Sequence, residues 1–215
     1  MMPATDPRID YRALVRRSYD ACAEAYDGAR RTEPGNEISE LIDRLDDGSS
    51  VLDIGCGGGV PIAKSLAVRY RVTGVDVSQE MISRAQENVL TGEFICGDVM
   101  AVRFEPSSFD AVVAFYSIFH LPREEQPDLF RRIHRWLKPG GYLLCTLSHQ
   151  NEEGYTEDDF FGETMYWSNY GLIEYLDILG EAGFVVLEVS SVGGGWEDHV
   201  GADREDHPLV LAQKR

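Results

Sequence analysis

The chain has few lysines and a large excess of acidic residues. Only three of its 20 basic residues are lysines, and 37 acidic residues give it a formal net charge of −17 at pH 7. A surface that binds nucleic-acid phosphates needs a stripe of basic side chains, and anionic membrane surfaces attract such stripes too. The composition therefore argues against nucleic acids and membranes as partners.

Paired cysteines and long apolar runs are also missing. The four cysteines lie far apart and form no CxxC motif, as is typical of reduced structural thiols. No apolar run approaches the ~20 residues of a membrane span, and the N-terminal residues MMPATDPRID contain no apolar signal core. We therefore expect a soluble, cytoplasmic protein.

A metal site is not predicted. His199 and His207 lie close in sequence to Asp198, Asp203 and Asp206. Their spacing matches no familiar zinc-ligand pattern, so we expect no bound metal.

The length of 215 residues suits one domain, residues 1–215, rather than two small ones. A chain of this size can bury about 70% of the surface that its unfolded form exposes. It therefore needs neither disulfides nor a metal to hold its core.

The most informative stretch is VLDIGCGGG, residues 51–59. Val51, Leu52 and Ile54 form an apolar run typical of a strand covered on both faces. The glycines that follow allow a sharp turn and the close approach of a ligand to the backbone, and a helix is expected over residues 60–69. A strand, a glycine turn and a helix together form a nucleotide-type site at the carboxyl end of a sheet.

Two interpretations of this glycine turn are possible, each with its own class of ligand. The dinucleotide fingerprint needs a small sixth residue counted from Gly55, but Val60 stands there. The pattern D-x-G-x-G-x-G resembles the first motif of the class I S-adenosylmethionine-dependent methyltransferases. The resemblance implies that the turn holds the methionine part of S-adenosylmethionine, through Asp53, Gly55, Cys56, Gly57 and Gly59.

An acidic residue follows the next predicted strand, RVTGVD. Asp76 lies 21 residues beyond Gly55, the spacing at which a carboxylate meets ribose hydroxyls in doubly wound folds. The methyltransferase resemblance further implies that Val77 and Met81 flank the adenine. It also implies that Asp98 and the Val99 backbone bind the adenine edge.

The first helix is predicted over residues 8–30 from its apolar spacing. Tyr19 and Tyr26 are seven residues apart and share one face. Core packing alone would explain this stripe. Alternatively, SYDACAEAYD resembles the N-terminal lid helix of ubiquinone-biosynthesis-type methyltransferases, which implies that the two tyrosines close over the cofactor.

The fourth strand, residues 111–115, leads into YSIFHLP. In the family this strand end faces cofactor and substrate, which implies that Phe115 and Tyr116 run alongside the cofactor. His120 could act as a general base near neutral pH, or it could simply bond loop backbone. His149 is the second candidate base.

Residues 137–144, LKPGGYLL, supply a further family-like turn before strand five. Residues 148–168 then form a long connection rich in acids and aromatics, and long loops are often functional. The resemblance implies a substrate pocket or lid here. The aromatics suggest an apolar or planar substrate, and the acids either attract a cationic one or form a solvated face.

The predicted fold is a Rossmann-like α/β sheet of about seven strands with helices on both faces. It is mostly parallel, with an antiparallel last strand at the edge. The resemblance divides the chain into lid helices (about 8–46), a cofactor-binding core (about 50–147), a substrate-pocket insert (about 148–168) and a C-terminal helix and hairpin (about 169–215).

The resemblance implies an enzyme that transfers a methyl group from S-adenosylmethionine to a small molecule. Three alternatives remain: a pyridine-dinucleotide enzyme, an aminopropyltransferase and a non-catalytic cofactor-binding module. The aminopropyltransferase is disfavoured because FYSIFH offers no carboxylate at the fourth strand end. No NPPY-like tetrapeptide follows this strand, which disfavours protein and nucleic-acid substrates. The substrate, the atom methylated and the oligomeric state stay open.

Overall fold

The computed structural model describes residues 10–29, 37–193 and 206–215. The six helices assigned there are α1 (Tyr11–Ala29), α2 (Ser39–Ile42), α3 (Ile62–Leu66), α4 (Gln79–Asn88), α5 (Gln126–Trp136) and α6 (Leu172–Glu181). Two short 3-10 turns, Ile118–His120 and Arg123–Glu125, precede α5.

The nine strands assigned in the same ranges are β1 (Ser50–Ile54), β2 (Arg71–Asp76), β3 (Glu93–Cys96), β4 (Phe109–Ala114), β5 (Leu137–Thr146), β6 (Glu152–Phe160), β7 (Glu163–Asn169), β8 (Phe184–Gly193) and β9 (Asp206–Lys214). Seven of them form one sheet in the order β3-β2-β1-β4-β5-β9-β8. The strands β1 to β5 pair in parallel, whereas β9 pairs antiparallel with both β5 and β8. The predicted Rossmann-like sheet is confirmed.

Two details of the predicted sheet are wrong. The antiparallel strand β9 lies between β5 and β8, so β8 and not the last strand forms the edge. The predicted connection at 148–168 contains an antiparallel hairpin, because β6 and β7 pair with each other as a separate two-stranded sheet.

Two helices in the N-terminal half of the chain, α2 and α3, are also shorter than predicted. The helix expected over 60–69 is reduced to α3, which begins after Pro61 in the N-cap position. Within the region of about 8–46 where helices are expected, α2 is only a single turn.

Hydrophobic clusters cover both faces of the main sheet. Leu52 and Ile54 of β1 belong to one cluster, together with α5 and α6, and Val51 belongs to the other, together with α2 and α3. This alternation follows from the two-residue period of a strand. The faces are therefore sealed, and the carboxyl ends of the strands are left to form a site.

A third, smaller cluster joins α1 to the hairpin. Val15 of α1 packs with Met165 and Tyr166 of β7, all buried, and the Ser18 hydroxyl donates to the Thr164 carbonyl at 2.6 Å. We call α1 and the β6–β7 hairpin together the cap. Among the described helices, none combines the length and apolarity that a bilayer crossing requires.

Candidate functional site

A cleft opens at the carboxyl ends of β1 to β4 and lies beneath α1, with about 820 Å³ of empty space when the solvent at its mouth is included. Its walls come from the glycine turn, the ends of β2, β3 and β4, and the inner face of α1. It is lined by Arg12, Val15, Tyr19, Tyr26, Ile54, Gly55, Gly57, Val75, Asp76, Val77, Met81, Gly97, Asp98, Val99, Phe115, Tyr116, Ser117, Ile118, His120, Leu121 and Leu129.

The glycine turn leaves space for a ligand where the sequence predicts it. Gly57 has a φ of +52°, and a Cβ added there would meet nothing within 4 Å. Gly55 is different, because its added Cβ would lie 2.2 Å from the Ser117 Cβ. Gly55 therefore lets the β4 end pack onto the turn, while Gly57 leaves the cleft open above the backbone.

Asp76 closes the cleft at the end of β2. Its Oδ2 accepts from the Gly57 N–H at 2.9 Å, and its Oδ1 accepts from the Ser78 N–H at 2.9 Å. Burial raises the pKa of this carboxyl to about 6, although the two backbone N–H groups act in the opposite direction. A carboxylate oxygen can accept more than one hydrogen bond, so both oxygens can still serve ribose hydroxyls.

The predicted adenine region is assembled next to Asp76. The residues that line the cleft here are Val77, Met81, Asp98 and Val99. They come from three separate places: the position directly after β2, helix α4 and the loop after β3. Asp98 Oδ1 accepts from the Met100 N–H at 2.8 Å, and its Oδ2 lies 3.4 Å from Arg12 Nε. The acid predicted to bind adenine thus also pairs with Arg12 of α1.

Tyr19 and His120 meet in the cleft although 101 residues separate them. His120 Nδ1 lies 2.8 Å from the Tyr166 carbonyl oxygen, and His120 Nε2 lies 2.9 Å from the Tyr19 hydroxyl. A carbonyl can only accept, so we assign the proton to Nδ1. Burial lowers the pKa of His120 to about 4, so the ring is neutral near pH 7 and Nε2 accepts from Tyr19.

Charged side chains tether α1 to the rest of the site. Asp20 Oδ1 accepts from the Ser78 hydroxyl at 2.7 Å and from the Glu80 N–H at 3.3 Å, at the N-terminus of α4. Arg12 pairs with Glu125, just before α5. These contacts hold α1 across the cleft from both sides.

Four predicted site residues lie outside the cleft lining. Asp53 is buried within β1, and Cys56 is buried against β2, with Sγ 2.8 Å from a Cβ placed on Gly74. Gly59 packs against α4, where an added Cβ would lie 3.2 Å from the Ala85 Cα. His149 is exposed on the loop after β5, so the expectation that it reaches the reaction centre is not supported.

Of the residues considered for a metal, His207 is described. Its Nδ1 lies 3.2 Å from the Leu147 carbonyl oxygen, and its ring stacks on Phe119. Asp198, His199 and Asp203 lie outside the described residues.

The sequence reasoning missed Arg12, Val15 and Ser117 as lining residues. The sequence does carry a signal for Arg12, because it lies seven residues before Tyr19 and therefore on the same helix face as Tyr19 and Tyr26. Ser117 carries no comparable signal, since its place depends on how β4 packs against the glycine turn.

Comparison with known proteins identifies the segment that holds the glycine turn. Residues 51–141 match the family model described as a methyltransferase domain. The phosphoethanolamine N-methyltransferase of Plasmodium falciparum is 33% identical over 159 residues, which cover 71% of this chain and 59% of that protein. Phosphoethanolamine N-methyltransferase 1 of Triticum aestivum is 32% identical over 185 residues, covering 81% of this chain and 34% of that protein. The chain thus spans 59% and 34% of the lengths of these two relatives, less than two thirds of each.

A solved structure shows the same fold over nearly the whole chain. The 1,6-didemethyltoxoflavin-N1-methyltransferase of Burkholderia thailandensis, solved with 1,6-didemethyltoxoflavin and S-adenosylhomocysteine, has a TM-score of 0.71 at 21% identity. The match covers 99% of this chain and 92% of that one. This structure shows the fold, whereas the family model and the relatives show a methyltransferase domain over residues 51–141, in agreement with the predicted resemblance to the class I S-adenosylmethionine-dependent methyltransferases.

Proposed function

We propose that this chain transfers a methyl group from S-adenosylmethionine to a small-molecule nitrogen that carries a proton. The observation that supports this most directly is the Tyr19–His120 hydrogen bond of 2.9 Å inside the cleft. This bond orients the Tyr19 hydroxyl within the cleft that Asp76 and the glycine turn also line.

The residues present fit the cofactor. Open space above Gly57 accommodates the methionine part, and the buried carboxylate of Asp76 can accept from the ribose hydroxyls. Val77 and Met81 would hold the adenine between apolar groups, while Asp98 would accept from its amine. Bound S-adenosylmethionine supplies a methyl group already activated by the sulfonium, so the protein mainly has to align the acceptor and exclude water.

Tyr19 and His120 together can remove the proton from the attacking nitrogen of the methyl acceptor. The Tyr19 oxygen can accept the proton of the attacking nitrogen while its own proton passes to His120 Nε2. The Tyr166 carbonyl then stabilises the protonated ring, because it accepts from Nδ1. Burial disfavours this cation, so the proton must leave once the site reopens to water.

An amine acceptor is supported by the cap and by the relatives. Aromatic side chains of the hairpin surround the Tyr19 end of α1: Phe160 lies 5.8 Å from the Tyr19 ring, and Trp167 lies 4.4 Å from the His120 ring. Such rings favour planar molecules and cationic amines. The relatives named above methylate nitrogen according to their names, and we extend only that atom type to this chain.

A label-transfer experiment tests the proposal. The chain is incubated with methyl-labelled S-adenosylmethionine and a panel of ethanolamine, phosphoethanolamine, aromatic amines and a deproteinised extract. We expect label in a small-molecule amine, no label with Asp76→Ala, and a large loss with Tyr19→Phe. Tyr142→Phe, which removes a hydroxyl from β5 outside the cleft lining, is the matched control and should retain activity.

Two outcomes would contradict the proposal. Label that appears only when protein or RNA fractions are added would exclude a small-molecule acceptor. Tight binding of S-adenosylhomocysteine without transfer to any fraction would favour a non-catalytic binding module instead.

A further inference from the structure

The tip of the β6–β7 hairpin holds an unfavourable residue in a tight turn. Phe160 pairs with Glu163, so Phe161 and Gly162 form a two-residue loop. Their φ values of 52° and 84° are those of a type I′ turn. This turn favours Asn, Asp or Gly at its first central position, whereas a bulky residue with a positive φ is strained.

Crowding around the turn does not explain why Phe161 adopts a positive φ. A Cβ added to Gly162 would meet nothing within 4 Å, so that side of the tip faces open space. Phe161, in contrast, is only partly exposed. The hairpin tip is therefore packed on the side of the Phe161 ring and open to solvent on the side of Gly162.

The Phe161 ring packs against the lid helix. Its centroid lies 5.6 Å from the Tyr26 ring and 5.1 Å from the Phe160 ring, both in edge-on geometry. Phe160 in turn lies 5.8 Å from Tyr19, and Tyr19 lies 5.3 Å from Tyr26. A continuous group of rings thus joins the hairpin tip to the two tyrosines that line the cleft.

We propose that Phe161 is a positioning residue that holds Tyr26 and Tyr19 over the cleft and so slows release of the cofactor product. Strain of this kind persists where the surrounding structure uses it, and here the strained residue adds an edge-on ring contact between the hairpin tip and Tyr26 of α1. This inference rests on the proposed function, because it takes the cleft as the cofactor site.

Phe161→Asn tests the role without removing the turn. The variant creates Asn-Gly, the pair that a type I′ turn prefers, and deletes the ring. We expect S-adenosylhomocysteine to dissociate about three to ten times faster, the size of one aromatic contact, as followed by stopped-flow fluorescence. Phe161→Tyr keeps the ring and should dissociate at the wild-type rate.

Ser107→Asn is the matched control for the turn. Ser107 also has a positive φ, 58°, and lies in the turn before β4, outside the cleft lining. It should change thermal stability only, with an unchanged dissociation rate. Phe161→Leu serves as a second ring deletion if Phe161→Asn does not fold, as judged by circular dichroism.

The outcomes separate this inference from the proposed function. A wild-type dissociation rate in folded Phe161→Asn or Phe161→Leu would overturn the positioning role while leaving methyl transfer intact. Faster dissociation in an enzyme that labels no acceptor would support the positioning role and count against the proposed reaction. A wild-type chain that does not bind S-adenosylhomocysteine would overturn both.

Discussion

Protonation of Asp76 should control cofactor affinity in mildly acidic solution. Burial raises the pKa of this carboxyl from 3.8 to about 6 in the unliganded chain. Two ribose hydroxyls that donate to the carboxylate would each contribute about 1.5–3 kcal/mol. They would therefore lower the pKa by about two units or more, since one unit corresponds to about 1.4 kcal/mol. The bound state prefers the ionised form.

The sign of the pH dependence follows from this difference. The free chain binds a proton below pH 6 that the complex does not hold, so affinity must fall as the pH falls. At pH 5 about one Asp76 in ten is ionised in the free chain, and the Kd for S-adenosylhomocysteine should be about tenfold higher than at pH 7.5. At pH 6, binding should release about half a proton.

Isothermal titration calorimetry in buffers of different ionisation enthalpy measures both quantities. Asp76→Asn is the control, because it keeps the side-chain shape and cannot titrate, so any remaining pH dependence belongs to the ligand or to other groups. An unchanged Kd between pH 7.5 and 5.2, with no proton release beyond that of the control, would refute the role of Asp76.

The remaining predictions concern single contacts of the site. Tyr19→Phe should lower kcat by about 100-fold or more and leave S-adenosylhomocysteine affinity nearly unchanged; equal rates in a label-transfer assay would contradict the proton path. Gly55→Ala should lower Tm by at least about 4 °C, because its Cβ would meet Ser117 at 2.2 Å. The double variant with Ser117→Gly should recover part of this loss in calorimetry, and an equal Tm would contradict the clash. Asp20→Ala removes the acceptor for the Ser78 hydroxyl, so S-adenosylhomocysteine should dissociate about threefold faster or more; an unchanged stopped-flow rate would show that this tether does not hold α1.

Residues near the carboxyl ends of predicted strands were the easiest to place from the sequence. Parallel strands bring their ends to one edge of the sheet, and the spacing from Gly55 predicts that Asp76 shares a site with the glycine turn. The place of Asp98 in this site is implied by the family resemblance. Helical spacing predicts that Tyr19 and Tyr26 share one face of α1, and the family resemblance implies that this face covers the cleft. Their exact roles in binding remain predictions that the experiments above address.

Features set by long-range pairing could not be predicted in the same way. The position of β9 between β5 and β8 depends on which strands meet, and no local pattern specifies that choice. The hairpin was missed because β6 is acidic and mostly exposed, and strand preference depends strongly on context. His149 was proposed from residue type alone, which gives no information about where the loop after β5 lies.

The placement of Tyr19 on α1 and of His120 on the core has a kinetic consequence. In the proposed reaction, Tyr19 and His120 can accept a proton together only while α1 lies across the cleft, so a molecule with α1 displaced is expected to bind ligands but to catalyse little. The proposal also places the cofactor beneath α1, so we expect the cofactor to bind before the acceptor site is complete. We therefore expect the cofactor to bind first and the acceptor second. Turnover should be limited by the opening of α1 and should slow as solvent viscosity rises.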